Sequence, residues 1–263
     1  MTERGQGRAA RRLILWDVDG TLVSCGPAGR EALESGARLA AGLTALPHLP
    51  MGGKTDPQIV GEMLLGAGVA PADLDSLVPV ALAEAKRALA GWRERMGREG
   101  RVHPGIRHLL DELAGSEGVR QTLLTGNVAV NAAVKVGAFG LEGYFDLPVG
   151  AYGDDNAERE LLVPIARDRV RELRGETYEP EQVWVIGDTA RDLSCARAAG
   201  VRCLLAGTGR DGFEAVRGLV ADAVLENLAN TRSVLGILLG WASAGGGAFP
   251  DEGARGRLRS RDG

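Results

Sequence analysis

Two aspartates close the first strongly apolar run of the chain, Leu13-Ile14-Leu15-Trp16-Asp17-Val18-Asp19-Gly20-Thr21-Leu22. Carboxylates this close repel, and the pair costs free energy unless a cation or a shared proton relieves it. Mg2+ suits that task, because it is hard, prefers oxygen and often rests on one or two protein carboxylates. A second acidic pair follows another apolar run, in Val185-Ile186-Gly187-Asp188-Thr189-Ala190-Arg191-Asp192. Carboxylates four apart across a helix start can both face the strand ends, whereas a helix cap accounts for only one of them. Between the pairs lies Leu123-Leu124-Thr125-Gly126-Asn127. There a hydroxyl, followed by a glycine with open backbone N–H groups, can hold phosphate oxygens. A strand and a plain turn is the alternative. Phosphate chemistry also needs a cation, for which Arg159, between Glu158 and Glu160, is the first choice and Lys135 the second. A solvated surface charge is the usual state of an arginine.

These residues need elements to hold them. The run before Asp17 is short and continuous, as expected of a strand buried on both faces. Gly20 ends it in a turn. Open parallel sheets bind ligands beyond the carboxyl ends of their strands. Side chains two apart on a strand share a face, so Asp17 and Asp19 are expected to converge on one small site. From Pro27 to Gly97 the pattern is helical: one helix to Ala41, one from Asp56, closed by Gly66-Ala67-Gly68, and one from Ala72 with a possible break at Pro79. Beyond Pro104 strands and helices alternate. Strands are expected at 119–125, weakly at 145–149, then at 183–186, 201–205 and 223–225. Helices are expected at 105–113, 129–137, 158–173 (with a possible kink at Pro164), 191–199, 212–218 and 231–241. Such alternation implies a doubly wound parallel sheet covered on both faces.

Composition narrows the function. The chain has 263 residues, 44% of them hydrophobic, enough for a sizeable core. A formal charge of -4 argues against nucleic acid as the main partner. Cys25, Cys195 and Cys203 have neither metal-site nor disulfide spacing and suit a reducing cytoplasm. Arg11-Arg12 faintly suggests a twin-arginine signal, but the apolar run behind it is too short and ends in Asp17. No stretch is long and apolar enough to span a membrane. His48, His103 and His108 have no partner pattern and are expected to be bystanders. Trp16, Trp92, Trp184 and Trp241 are expected to pack.

The order and strand-end placement of DxDGTL, LLTGN and GDTxxD resemble the haloacid dehalogenase (HAD) superfamily over about Leu13 to Trp241. The helical insertion after the first motif is similar to the C1 cap of the phosphoglycolate phosphatase-like branch. The resemblance implies a Rossmann-like core at 11–23 and 102–242, a cap at 24–101, a flexible lead-in at 1–10 and a disordered tail at 243–263. It implies an Mg2+-dependent phosphatase acting on a small phosphorylated metabolite, nominally phosphoglycolate. Asp17 would be the nucleophile that forms an aspartyl-phosphate, and Asp19 would protonate the leaving alcohol and then activate water. Gly20, Thr125, Gly126, Asn127, Arg159 and Lys54 would contact substrate or phosphate. Asp17, Asp19 (through its backbone carbonyl), Asp188 and Asp192 would hold the metal, Asp192 as a further or outer ligand. Many members of that branch carry a lysine followed by Pro-x-Pro at the third motif, and this chain does not, so Arg159 would substitute. Dehalogenase members generally lack the second aspartate, so Asp19 favours phosphoryl chemistry. A β-phosphoglucomutase-like mutase, a phosphonatase using Lys54 and a non-catalytic phosphate-binding regulator are the alternatives. Gly53-Lys54-Thr55 brushes the P-loop pattern, but His48 stands where that pattern needs glycine and no strand precedes it.

Overall fold

The computed structural model describes residues 11–240. The lead-in 1–10, Trp241 and the tail 243–263 lie outside the described residues. The chain runs β1 (Arg12–Trp16), β2 (Val23–Ser24), α1 (Ala28–Ala41), α2 (Asp56–Gly66), α3 (Leu74–Gly91), α4 (Arg93–Glu99), β3 (Arg101–Val102), α5 (Ile106–Ala114) and β4 (Val119–Leu123). It continues α6 (Ala129–Ala138), α7 (Leu162–Arg174), β5 (Val183–Gly187), α8 (Ala190–Ala198), β6 (Arg202–Ala206), β7 (Ala223–Leu225) and α9 (Thr231–Leu239).

Five strands form one parallel sheet in the order β4-β1-β5-β6-β7. Strand periodicity divides their side chains between two apolar layers. Ile14, Trp16, Trp184, Ile186 and Leu204 pack on one face with α5, α6 and α9. Leu13, Leu15, Val183, Val185, Cys203 and Leu205 pack on the other with α7 and α8. Burial on both faces explains why these strands are unbroken apolar runs rather than alternating ones. Trp16 lies level with Leu123 on one side and Ile186 on the other. The Asp17 N–H donates to the Ile186 carbonyl at 2.9 Å, and the Leu124 N–H to that of Trp16 at 2.8 Å. The three motif-bearing strands therefore end side by side.

Helices α1 to α4 fill the span between β2 and β3, two-residue strands that pair antiparallel and bring the chain back beside its point of departure. Strands this short carry no periodicity to read. The insertion shares its apolar cluster with the sheet face under α5 and α6. Gly36 of α1 lies so close to α3 that a Cβ there would overlap the Ala81 carbonyl oxygen.

Several boundaries differ from expectation. The strand expected at 145–149 is absent: the segment forms two 3-10 turns, Glu142–Tyr144 and Leu147–Val149. Pro148 has no N–H to give to a sheet, and the segment meets the edge of β4 at its two ends alone, through the Asp146 N–H to the Gln121 carbonyl at 2.9 Å and the Ala151 N–H to that of Leu123 at 3.0 Å. The helix expected from Glu158 begins as a 3-10 turn, Arg159–Leu161, and becomes α7 at Leu162. Pro164 falls in the first turn of α7, where no N–H is needed, so it does not kink the helix. Pro79 sits within α3 without ending it, and the break comes at Trp92. The helix expected at 212–218 is one 3-10 turn, Phe213–Ala215.

Gly36→Ala should lower stability by about 2 kcal/mol, a fall in Tm of roughly 4–8 °C, because backbone rather than a flexible side chain must give way. Thermal denaturation reads this directly, and an unchanged Tm would mean that α1 and α3 are less closely apposed.

Candidate active site

Asp17 follows β1, Asp188 follows β5, and Asp192 lies in the first turn of α8. One carboxylate oxygen from each lies within 4.8 Å of the others. Asp192 is fully buried. Its Oδ2 accepts from the N–H groups of Asp188 at 3.2 Å and Thr189 at 3.0 Å, and from the Thr189 hydroxyl at 2.7 Å. Its Oδ1 takes an ion pair from Arg159. Asp192 is thus committed to holding the loop and the arginine. Buried Arg159 also donates from its Nη2 to Asp17 Oδ1 at 2.9 Å. The 3-10 turn before α7 is what aims it inward.

Burial, opposed by Arg159, raises the Asp17 carboxyl from 3.8 to about 6. Asp188 is pushed well above the ordinary carboxylate range by burial and by Asp17 and Asp192. Burial works against the charge on Arg159, but Asp192 and Asp17 outweigh it and hold the guanidinium protonated. One cation thus faces three crowded carboxylates.

Asp19 is not part of that cluster. Strand β1 stops at Trp16, and the chain curls, with the Leu22 N–H on the Val18 carbonyl at 3.0 Å. The shared strand face expected for Asp17 and Asp19 therefore does not exist. The Asp19 carboxylate turns toward α6, where it pairs with Lys135 and accepts from Asn127 Nδ2 at 2.8 Å. Asn127 Nδ2 also reaches Thr125 Oγ1 at 2.9 Å, and the Asn127 N–H approaches the same oxygen at 3.3 Å. The Thr125 hydroxyl hydrogen is left to donate elsewhere.

Glycine serves the site by clearance. Gly20 has φ +91, and a Cβ there would strike Asp188. Its N–H is given to the Val23 carbonyl at 2.9 Å, so its contribution is steric rather than a donor to phosphate. A Cβ on Gly126 would overlap the Lys54 carbonyl, which lets the 53–56 loop of the insertion lie on the Thr125–Asn127 turn. The Asp56 N–H bonds the Gly126 carbonyl at 2.7 Å, and the Thr55 hydroxyl bonds that of Ala157 at 2.9 Å. The Asp56 carboxylate accepts the Val128 N–H at 3.0 Å.

A cavity of about 900 Å3 opens over these groups, lined by Asp17, Asp19, Thr125, Asn127, Lys135, Arg159 and Asp188. Toward the insertion it meets Arg30, His48, Lys54 and Arg101, and from the loop after β6 Arg210. Lys54 is ion-paired with Glu62. His103, expected to be a bystander, lines the same cavity and is buried with no hydrogen-bond partner on its Nε2. Nothing in its sequence context separates it from His48 or His108.

The haloacid dehalogenase-like hydrolase family matches residues 14–197. This chain belongs to that family. Among its relatives, the plasmid phosphoglycolate phosphatase of Cupriavidus necator is 30% identical over 221 residues, 82% of this chain and 89% of that protein. The phosphoglycolate phosphatase of Pseudomonas putida is 30% identical over 201 residues, 73% of this chain and 68% of that protein. CbbY from Rhodobacter sphaeroides, solved with phosphate, shares the fold with a TM-score of 0.59 at 24% identity, covering 83% of this chain and 95% of its own. A hydrolase from Pseudomonas syringae superposes at 0.62 with 19% identity, covering 86% and 97%. The chain is a phosphoglycolate phosphatase-like HAD hydrolase, and no helix among the described residues is long and apolar enough to cross a membrane.

In this HAD hydrolase the all-oxygen cluster fits a hard divalent cation such as Mg2+. Asp17 and Asp188 each keep one oxygen without a hydrogen bond among the described residues and could hold it, whereas both oxygens of Asp192 are engaged. In the metal-free protein the raised Asp17 gives stability that is complete below about pH 4 and lost as pH rises through about 6. A bound cation favours the ionised oxygens and reverses that loss. The gain in Tm on adding Mg2+ to EDTA-treated protein should therefore be larger near about pH 7.5 than near about pH 5. Equal gains at both would assign the stabilisation to another site.

Proposed function

We propose that this HAD hydrolase is an Mg2+-dependent phosphatase that cleaves a small phosphorylated metabolite through an aspartyl-phosphate on Asp17. The observation that carries the reading is the division of the DxD pair. Asp17 is buried against Arg159 within the carboxylate cluster, whereas Asp19 lies outside it with 45% of its side chain exposed. A nucleophile must be oriented and its charge offset. A proton donor must be free of the metal and open to the leaving group.

Asp17, the backbone carbonyl of Asp19 and Asp188 would hold Mg2+, which offsets the charge of the phosphoryl group when bound. Arg159 keeps one Asp17 oxygen in place and brings positive charge beside the attacking carboxylate. The Thr125 hydroxyl and the Gly126 N–H donate to phosphoryl oxygens. Asp19 gives its proton to the leaving alcohol and takes one from the water that opens the aspartyl-phosphate. Asn127 holds both Thr125 and Asp19. Helices α1 to α4 act as the cap that shields this chemistry and selects the leaving group. Arg101 and Arg210 line the cavity and have no ion-pair partner among the described residues. They favour a leaving group that carries its own negative charge, as in a phosphoglycolate-like substrate, and the volume admits larger ones. A Schiff-base amine has to be free, so the pairing of Lys54 with Glu62 weighs against a phosphonatase.

Phosphate release from a panel of small esters tests the reading. Release should require Mg2+, stop with EDTA, and fall by at least about 1,000-fold in Asp17→Asn. A folded protein that releases no phosphate overturns it, and an isomerised sugar phosphate in place of free phosphate would make the chain a mutase.

A further inference from the structure

Lys135 has no place in the chemistry described so far, yet it is a buried charge at the edge of the site. It lies in the last turn of α6. Helical side chains lean toward the N-terminus, so its stem runs back along α6 to the loop that opens the helix. Its Nζ meets two groups, Asp19 Oδ2 in an ion pair and Asn127 Oδ1 at 2.5 Å. Asn127 Nδ2 closes the triangle on the same Asp19 oxygen at 2.8 Å. Among the described residues, the other Asp19 oxygen receives no hydrogen bond, and the carboxylate borders the cavity. Gly29 of α1 allows the approach, since a Cβ there would come within 3.2 Å of the amine.

Two cations thus serve the DxD pair separately. Arg159 bonds Asp17 and Asp192, and Lys135 bonds Asp19. A buried lysine keeps its charge only where partners outweigh desolvation. Here burial works against the ammonium, while Asp19, Cys25 and Asp56 favour it.

We infer that Lys135 is a positioning residue for proton transfer: with Asn127 it fixes Asp19 Oδ2, so that Oδ1 faces the leaving-group oxygen. The inference rests on the phosphatase reading. It differs from a role for Lys135 as the cation on the phosphoryl group, because its contacts are with the proton donor.

A proton donor matters most when the leaving alkoxide is basic and least when it is a stable phenolate. The value of kcat/KM covers steps up to departure of the leaving group, so a series of esters from alkyl phosphates to p-nitrophenyl phosphate isolates the effect. In Lys135→Met, kcat/KM for alkyl phosphates should fall by about 100-fold, and for p-nitrophenyl phosphate by less than about 5-fold, with the loss in kcat. Lys135→Gln, which keeps a donor to Asn127 without the charge, should show the same slope and decides the matter if Lys135→Met does not fold. Asp19→Asn sets the reference slope, and adding Lys135→Met to it should cost less than about 3-fold more. A uniform loss across the series, with a raised KM, would make Lys135 a phosphate contact and overturn the inference. So would Lys135 variants with the wild-type slope. If Asp19→Asn keeps the wild-type slope, or the wild-type protein releases no phosphate, the reading of Asp19 falls and takes the inference with it.

Discussion

Negative charge concentrated at the ends of β1 and β5 is the constraint on which the rest of the structure depends. Asp17, Asp188 and Asp192 are brought within contact range in a buried site, with Asp19 two residues from Asp17. Such an arrangement stands only if the charge is answered. The two buried cations that answer it come from far along the chain, Arg159 lying 142 residues from Asp17 and Lys135 lying 116 from Asp19. Removing one partner of a buried pair leaves a bare charge and costs about 3–5 kcal/mol. The start of α7 and the whole of α6 are thereby fixed to the tip of β1 by electrostatics as well as packing. The count remains unequal, and the surplus of carboxylate over guanidinium at Asp17 and Asp188 is one that a hard divalent cation could answer.

The same constraint explains the glycines. Groups that must approach within bonding distance leave no room for side chains between them. Gly20 and Gly209 both abut Asp188, and Gly187 abuts Asp192. Gly126 performs the equivalent task for the insertion, whose Lys54–Asp56 backbone rests on the Thr125–Asn127 turn. Pinned by Asp56 and Thr55, the insertion contributes Arg30, His48 and Lys54 to the wall of the cavity beside the acidic cluster. Burial of Asp17, Asp192 and Arg159 strengthens the charge interactions among them, because water screens them little.

What could be read in the sequence follows from which forces are local. The runs 13–16 and 183–186 declare themselves because strands buried on both faces are apolar without interruption. Asp17 and Asp188 declare themselves by following those runs. Arg159 was recognisable by its place at a helix start, although its two carboxylate partners are distant. The relation between Asp17 and Asp19 was not readable: it turns on β1 stopping at Trp16, one residue before the pair. Lys135 could be singled out only as the second choice of cation, and its pairing with Asp19 was not readable. A lysine in the last turn of a helix is ordinarily solvated, and only tertiary packing, with Gly29 of α1 beside its amine, buries it next to Asp19. The segment around Pro148 has strand-like composition and lies along the edge of β4, but Pro148 and the turn at Leu147–Val149 interrupt the ladder between Asp146 and Ala151.

Chemistry and selection draw on different parts of the chain. The groups that would handle the phosphoryl moiety come from strand ends and the helices directly behind them, where a shift would expose or strand a charge. The groups on the far side of the cavity, Arg30, His48 and Lys54, come from the insertion, with Arg101 on its returning strand. Of these, Arg30 and Lys54 are tied to insertion carboxylates, Glu34 and Glu62. Their charge can be altered without unbalancing the acidic cluster, because none of them is paired with it. Under the phosphatase reading, substitutions at positions 30, 48, 54 and 101 would therefore change which leaving group is preferred while the set Asp17, Asp188, Asp192 and Arg159 stays intact. That independence is electrostatic, and under the phosphatase reading it would let one reaction centre serve different small phosphates.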